Sequence, residues 1–250
     1  MPNILNDIKN FAVYYGYDNE QALMDYDLLI LEPKAHSQVG LNKLKDAGKL
    51  VIAYLSIIEI SKDDESFSLL SEADLLRLNG DLVINQEYQT YYMDITKENV
   101  RNIIVQKAIS HFKSGYDGIF LDTIGNIEYL DLNNQELYES AALLLNEVKL
   151  AFPSCIIIQN NGFLELYDYT AKYLNAICFE NPPISTIGSL IWTYSAIIRL
   201  NAIAKEYNVK VLLLEEDIYN KSSIKTFFMR KIARKNGWLY YKSAKYYNHI

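Results

Sequence analysis

Two apolar runs end in carboxylic acids: Gly118-Ile119-Phe120-Leu121 leads into Asp122, and Ala176-Ile177-Cys178-Phe179 leads into Glu180. A carboxyl pair flanking one bond is the equipment of glycoside hydrolysis. One member donates a proton to the leaving oxygen, and the other, ionised, attacks the sugar or activates water. Burial and mutual repulsion push the two pKa values apart and so assign the roles. Alternation along a strand puts Asp122 on the face of Phe120, and Glu180 on the face of the small residues Cys178 and Ala176. An acid after a strand is also a common cap or turn-former. Repetition carries more weight than either acid alone. Other apolar runs end in Glu32, in Tyr54 with Ser56, in Asp94, in Gln159-Asn160-Asn161 and in Glu215-Glu216, and Tyr14, Tyr15 and Tyr17 fall at or near another end. Tyrosine there can stack on a sugar face while its hydroxyl bonds to polar groups. Asp94 before Ile95-Thr96 also suits a helix start. Glu180 before Asn181-Pro182-Pro183 also suits a rigid loop, and Glu215-Glu216-Asp217 a solvated rim.

The elements that must position these groups recur along the chain. Short apolar runs occur at AVYYG (12–16), LLILEP (28–33), LVIAYLS (50–56), YYMDI (91–95), GIFLDT (118–123), CIIIQNN (155–161), AICFEN (176–181), VLLLEE (211–216) and WLYYKS (238–243). Between them lie amphipathic stretches with apolar residues three and four apart, such as VGLNKLKDAGKL, ENVRNIIVQKAISHFKSG, NQELYESAALLLNEVKLAF, SLIWTYSAIIRLNAIAKEY and SSIKTFFMRKIARKNG. Several close on Gly. Strands alternating with helices imply a parallel sheet covered on both faces. Nine candidate runs in 250 residues fit an α/β fold of the (β/α)8 TIM-barrel type, a single domain over residues 1–250, with YYMDI or the last run outside the ring or extending it. No G-x-G-x-x-G or G-x-x-x-x-G-K-[ST] is present to suggest a nucleotide fold. In such a barrel all strand C-termini meet at one face, where sites are built. One strand separates those of Asp122 and Glu180, so their backbones stand about 10 Å apart. Side chains leaning inward close that gap to the roughly 5–9 Å that glycosidases use. The long mixed segment 57–90 follows the third strand on that face and is expected to wall one side of a cleft, with Lys62-Asp63-Asp64-Glu65 a solvated turn.

Composition narrows the partners. A formal charge of −7 argues against a nucleic-acid groove. No run of about 18 apolar residues is present to span a membrane. The first residues lack a basic region, an apolar core and an A-x-A site, so the chain is expected to be cytoplasmic if full length and exported if a signal has been removed. Cys155 and Cys178 sit in apolar runs as buried thiols, and His36, His111 and His249 are scattered, which gives no metal-ligand spacing. A Schiff-base enzyme would need a lysine at a strand tip, where only Lys34 and Lys242 come close.

Taken in order, AGKLVIAYLSIIEI (47–60), YYMDI (91–95), GYDGIFLDT (115–123), QNNG (159–162) and FEN (179–181) resemble glycoside hydrolase family 114, the endo-α-1,4-polygalactosaminidase-like barrels that include the hydrolase domains of Pel-polysaccharide proteins. The resemblance implies cleavage of α-1,4-linked, partly deacetylated galactosamine polymers of biofilms, with Asp122 as nucleophile or stabiliser and Glu180 as acid/base. It implies that Tyr54, Glu59, Asp94 and Asn160 line the cleft; Tyr14, Glu32, Gln159 and Glu216 join them as substrate-binding candidates from their strand ends. It implies no metal or organic cofactor, a cationic polymer that suits an acidic rim, and a secreted or cell-surface location. Two places depart from the family pattern: Ile58 stands where Gly usually precedes the Glu, and Thr123 and Gly125 replace an Asn and a second Asp. These departures leave open a second reading, a non-catalytic carbohydrate-binding barrel of the same family.

Overall fold

A strand covered on both faces by other elements has no solvent side, so it reads as an unbroken apolar run and not as an alternation. Eight of the nine runs take that role. The structure, a computed structural model, describes residues 3–17, 19–130, 134–217 and 223–250. Its main sheet holds β1 (Phe11–Tyr14), β2 (Leu28–Leu31), β3 (Leu50–Ser56), β4 (Gly118–Asp122), β5 (Ile156–Asn160), β6 (Ala176–Glu180), β7 (Lys210–Asp217) and β8 (Leu239–Ala244). Each strand pairs in parallel with the next. The seam between β8 and β1 is closed by side chains and the chain end: the Phe11 and Tyr241 rings meet at 5.8 Å, and Tyr15 N–H donates to the Tyr247 carbonyl at 2.7 Å. Helices α1 (Glu20–Leu23), α2 (Gln38–Asp46), α3 (Glu98–Lys113), α4 (Asn134–Ala151), α5 (Leu166–Thr170), α6 (Ile187–Tyr207) and α7 (Ser223–Asn236) lie between the strands. This is a (β/α)8 TIM barrel. The segment predicted as the last helix begins at Ser222, which lies outside the described residues.

YYMDI is the run left out of the ring. Thr90–Tyr92 pairs antiparallel with Glu59–Ile60 and Ile84–Asn85 in a small three-stranded sheet beside the barrel mouth. Its residues are all half-buried, whereas β1, β2 and β5 are buried throughout. The last run, by contrast, is β8.

Alternate residues of the ring strands divide two cores. Phe11, Ile30, Ile52, Phe120, Ile158, Cys178 and Leu212 fill the lumen. Ile119, Leu121, Ile157, Ile177 and Leu213 pack outward against α3, α4 and α6. Helix ends follow ordinary capping chemistry: Ser37 accepts from Gly40 N–H at 3.1 Å, and Thr186 accepts from Ser189 N–H at 3.1 Å. Gly115 supplies the left-handed turn, φ 102°, that ends α3 and aims the chain into β4.

Where β4 begins, the barrel is closed to backbone contact. A Cβ on Gly118 would lie 2.1 Å from the Ile156 carbonyl oxygen of the neighbouring strand. Gly118→Ala is therefore expected to cost about 2–3 kcal/mol, measured by denaturant unfolding. Gly188→Ala, where the nearest atom to the added Cβ is the Thr186 hydroxyl oxygen at 3.9 Å, is expected to leave stability unchanged or slightly raised.

Candidate active site

Three successive strands end in Asp122, Asn160 and Glu180. Asn160 pairs level with Cys178, so Glu180 stands two residues further along β6, on the same inward face. The Asn160 amide bridges the two acids. Its Nδ2 donates to Asp122 Oδ1 at 2.8 Å and to Glu180 Oε2 at 2.6 Å, which holds the nearest oxygens of the pair no more than about 5.4 Å apart. Each acid takes a tyrosine on its other oxygen. Tyr54 Oη donates to Asp122 Oδ2 at 2.8 Å, and Tyr247 Oη donates to Glu180 Oε1. The Tyr15 ring sits between these phenols, 5.0 Å from Tyr54 and 5.2 Å from Tyr247.

The backbone turns sharply after each of the three. Thr123, Asn161 and Asn181 have φ of 62°, 53° and 48°, a region side-chain-bearing residues visit rarely and Asn more readily than most. Each uses its side chain to fasten the turn to an adjoining strand. Thr123 Oγ1 accepts from the amides of Ile57 and Ile58, each at 3.1 Å. Asn161 Oδ1 accepts from Glu180 N–H at 3.1 Å, and Asn181 Oδ1 from Glu216 N–H at 2.9 Å. These local bonds offset the conformational cost and fix the level at which each acid emerges.

Electrostatics separate the pair. Burial raises the Glu180 carboxyl above the usual carboxylate range, and the Asp122 charge raises it further; the bonds from Asn160 and Tyr247 act the other way without cancelling the rise. Burial, then the Asp122 charge, pushes the Tyr15 and Tyr54 phenols up, and burial followed by Glu180 does the same to Tyr247. All three remain protonated near neutral pH, so Tyr54 and Tyr247 act as donors to the acids. At the far end of the cleft, burial and then the Lys107 charge lower His111 to about 4, so it is neutral at pH 7.

The cleft has a volume of about 1280 Å³, and Glu32, Tyr54, Glu59, Asp122, Asn160, Glu180 and Glu216 all line it. The segment 57–90 forms one wall through Glu59, Leu69, Asn85, Tyr88 and Thr90. Glu59 is nearly buried and accepts from Thr90 at 2.6 Å, Asn126 at 2.8 Å and Asn85 at 3.1 Å, which ties that wall to the turn after β4. Ile58 has ordinary backbone and a buried side chain, so Glu59 reaches the cleft without a glycine before it. Gly125 is dictated by contact: a Cβ there would meet Gly162 N at 2.8 Å. Among the described residues, no group of three or more His, Cys, Asp or Glu is placed to hold a metal ion.

Three sequence candidates do not reach the cleft. Tyr14 points outward from the ring, where its Oη donates to the Tyr17 carbonyl at 2.9 Å and its ring packs near His36; the next residue, Tyr15, faces inward and lines the cleft instead. Gln159 is fully buried and faces the helices, with Nε2 donating to the carbonyls of Asn161 and Gly162 at 3.0 and 3.1 Å and Oε1 accepting from Thr170 at 2.8 Å. Strand alternation allows only one of Gln159 and Asn160 to face inward. Asp94 shapes the start of α3: it accepts from Thr96 N–H at 3.0 Å and pairs with Lys97 at 3.3 Å. Asp64, expected in a solvated turn, pairs with Lys107 at 2.9 Å on the cleft wall. Tyr247 is absent from the sequence candidates. Its only signal is a position just past the last strand, and its placement depends on left-handed turns at Tyr246 and Tyr247, φ 59° and 54°.

The family model described as glycoside-hydrolase family GH114 matches residues 6–181. The chain belongs to glycoside-hydrolase family GH114. It is accordingly a glycosidase. No curated protein sequence matches it. Among solved structures, it is similar to the glycoside hydrolase domain of PelA from Pseudomonas aeruginosa, with 17% identity, 96% of each chain covered and a TM-score of 0.77. It is also similar to Ega3 of Aspergillus fumigatus in complex with galactosamine, with 16% identity, 96% of this chain and 90% of that one covered, and a TM-score of 0.71. A third is TtGalA, an α-galactosidase from Thermus thermophilus, with 11% identity, 98% and 59% covered, and a TM-score of 0.62. At these identities the solved structures establish the shared barrel.

The Tyr247 bond favours ionised Glu180, so its removal in Tyr247→Phe is expected to raise the Glu180 carboxyl further. If Glu180 acts in its protonated form, the basic limb of the pH–activity profile then moves up in Tyr247→Phe. Asp122→Asn removes a repelling charge, so Glu180 is expected to titrate lower than in the parent, read by NMR of carboxyl-labelled protein.

Proposed function

We propose that this GH114 member hydrolyses α-1,4 linkages in a galactosamine-containing exopolysaccharide of the biofilm type, by a two-carboxylate mechanism that retains the anomeric configuration. The observation that carries the reading is the Asn160 bridge. Acids whose nearest oxygens lie within about 5.4 Å match the roughly 5–5.5 Å of retaining enzymes and leave no room for the intervening water of an inverting one.

The roles follow from the surroundings. Glu180, raised by burial and by Asp122, donates its proton to the glycosidic oxygen. Asp122, with both oxygens accepting hydrogen bonds, attacks C1, and the C1–O bond breaks to give a glycosyl ester. Glu180, now ionised, takes a proton from water as that water attacks C1 and releases Asp122. Asn160 holds both carboxyls at working distance throughout, and Tyr54 orients the attacking oxygen.

Substrate charge supports an amino sugar. Seven carboxylates and two lysines line the cleft, and one of those lysines, Lys107, is already paired with Asp64. A cleft of that sign attracts a polymer carrying free ammonium groups. The galactosamine in the Ega3 complex is consistent with the same chemistry.

The test is incubation with partly deacetylated galactosamine polymer and detection of oligosaccharides by mass spectrometry. Release by the parent is expected, with a loss of about 10³-fold or more in Asp122→Asn and in Glu180→Gln. NMR of the first-formed product should show the α anomer. Undiminished release by either variant would show that the pair is misassigned, a β product would exclude retention, and tight binding without release by the parent would leave only a lectin-like barrel.

A further inference from the structure

The outer wall of the barrel carries an apolar face that the site does not use. On α6 the outward stripe is Ile187, Leu190, Ile191, Tyr194 and Ile198, spaced three and four apart and 47–78% exposed. No charged residue lies in the first twelve positions of that helix, and most of its apolar length is not buried. Soluble surfaces rarely leave so continuous an apolar patch uncovered. The neighbouring α7 continues it. Asn201 of α6 donates to Asn236 of α7 at 2.7 Å, which fixes the two helices side by side. The outward stripe of α7 begins with Ile224, Phe227 and Phe228, all exposed, and proceeds to the exposed Lys231, Arg234 and Lys235.

The charge on α7 is opposite to that of the protein. Ser223–Asn236 holds five Lys and Arg and no acid, while the chain as a whole carries −7. A helix face of exposed aromatic and aliphatic side chains followed by basic ones is the chemistry of an interfacial helix: the apolar part enters the acyl boundary, and Lys and Arg meet anionic headgroups. Two copies packed symmetrically through this face would bring their basic stripes into one contact, at a cost in repulsion and desolvation. An anionic bilayer accepts both parts of the stripe.

We propose that the outward face of α6 and α7 docks the protein peripherally on an anionic lipid surface, lying on the bilayer without crossing it. Both helices leave the C-terminal ends of strands, so their exposed apolar turns stand at the level of the barrel mouth.

The full chain is to be sedimented with vesicles of phosphatidylcholine alone and of phosphatidylcholine with about one-third phosphatidylglycerol. Binding to the anionic vesicles is expected, weaker in high salt. It should fall about tenfold in Phe227→Ser/Phe228→Ser and in Ile191→Asp, and also in Lys231→Glu/Lys235→Glu. Melting temperatures near that of the parent would show that these surface variants fold. Absence of binding to either vesicle overturns the proposal, as does binding that is indifferent to lipid charge. A dimer in solution that the Phe variants abolish, without vesicle binding, also overturns it and assigns the face to a second copy.

Discussion

Two carboxylates at the spacing seen for Asp122 and Glu180 repel each other by about 3 kcal/mol if both are charged, taking an effective dielectric constant near 20. The site is organised around that repulsion. Asn160 answers it by giving one hydrogen to each acid, and a proton on Glu180 answers it more fully. The Asn160 bridge therefore holds the pair close, while the repulsion it opposes makes the members unequal. Substituting a lysine for Asn160 would attract both acids and favour the ionised form of each, removing the proton that the proposed mechanism needs on Glu180. A neutral donor with two hydrogens holds the geometry and preserves the asymmetry.

Bringing three strand ends to one point requires each chain to leave quickly. The turns at Thr123, Asn161 and Asn181 do this in left-handed backbone, and their side chains staple outward in sequence: to the exit of β3, to Glu180 and to Glu216. The lumen beneath is narrow-walled where it must be, with Ala176 and Cys178 under Glu180 and fully buried. A larger residue at either position would lift the acid out of reach of Asn160. The floor, the turns and the bridge thus form one mechanical unit, and strain in the turns is held by bonds that also set the height of the acids.

Much of this was legible in the sequence because burial on both faces writes itself as unbroken apolar runs, and because an acid ending such a run has little other place to go. The barrel and the two acids come from that signal. The failures have equally physical causes. Where two polar or aromatic residues adjoin, as in Tyr14-Tyr15 and Gln159-Asn160, alternation permits one inward residue, and composition does not say which. The sequence narrows the spare run only to YYMDI or the last one, and offers Asp94 as a cleft residue, because half-buried tyrosines in a small antiparallel sheet resemble, in one dimension, a ring strand cut short. Tyr247 had no periodic signal at all: its position depends on two consecutive left-handed residues after β8 and on closure of the seam with Tyr15.

The span matched by the family model ends at residue 181, just beyond Glu180, yet the site does not end there. Glu216 comes from β7, and the second donor to Glu180 comes from Tyr247, beyond β8. The last two strands therefore do more than close a ring: they seat the wall against which the acid is buried, and burial is the leading cause of its raised pKa. The helices attached to those strands also carry the exposed apolar face. The portion outside the family match thus both completes the acid's environment and presents a surface unlike the rest of an acidic protein. Asn181 ties the two parts of that environment together, since its side chain joins the end of β6 to Glu216 on β7.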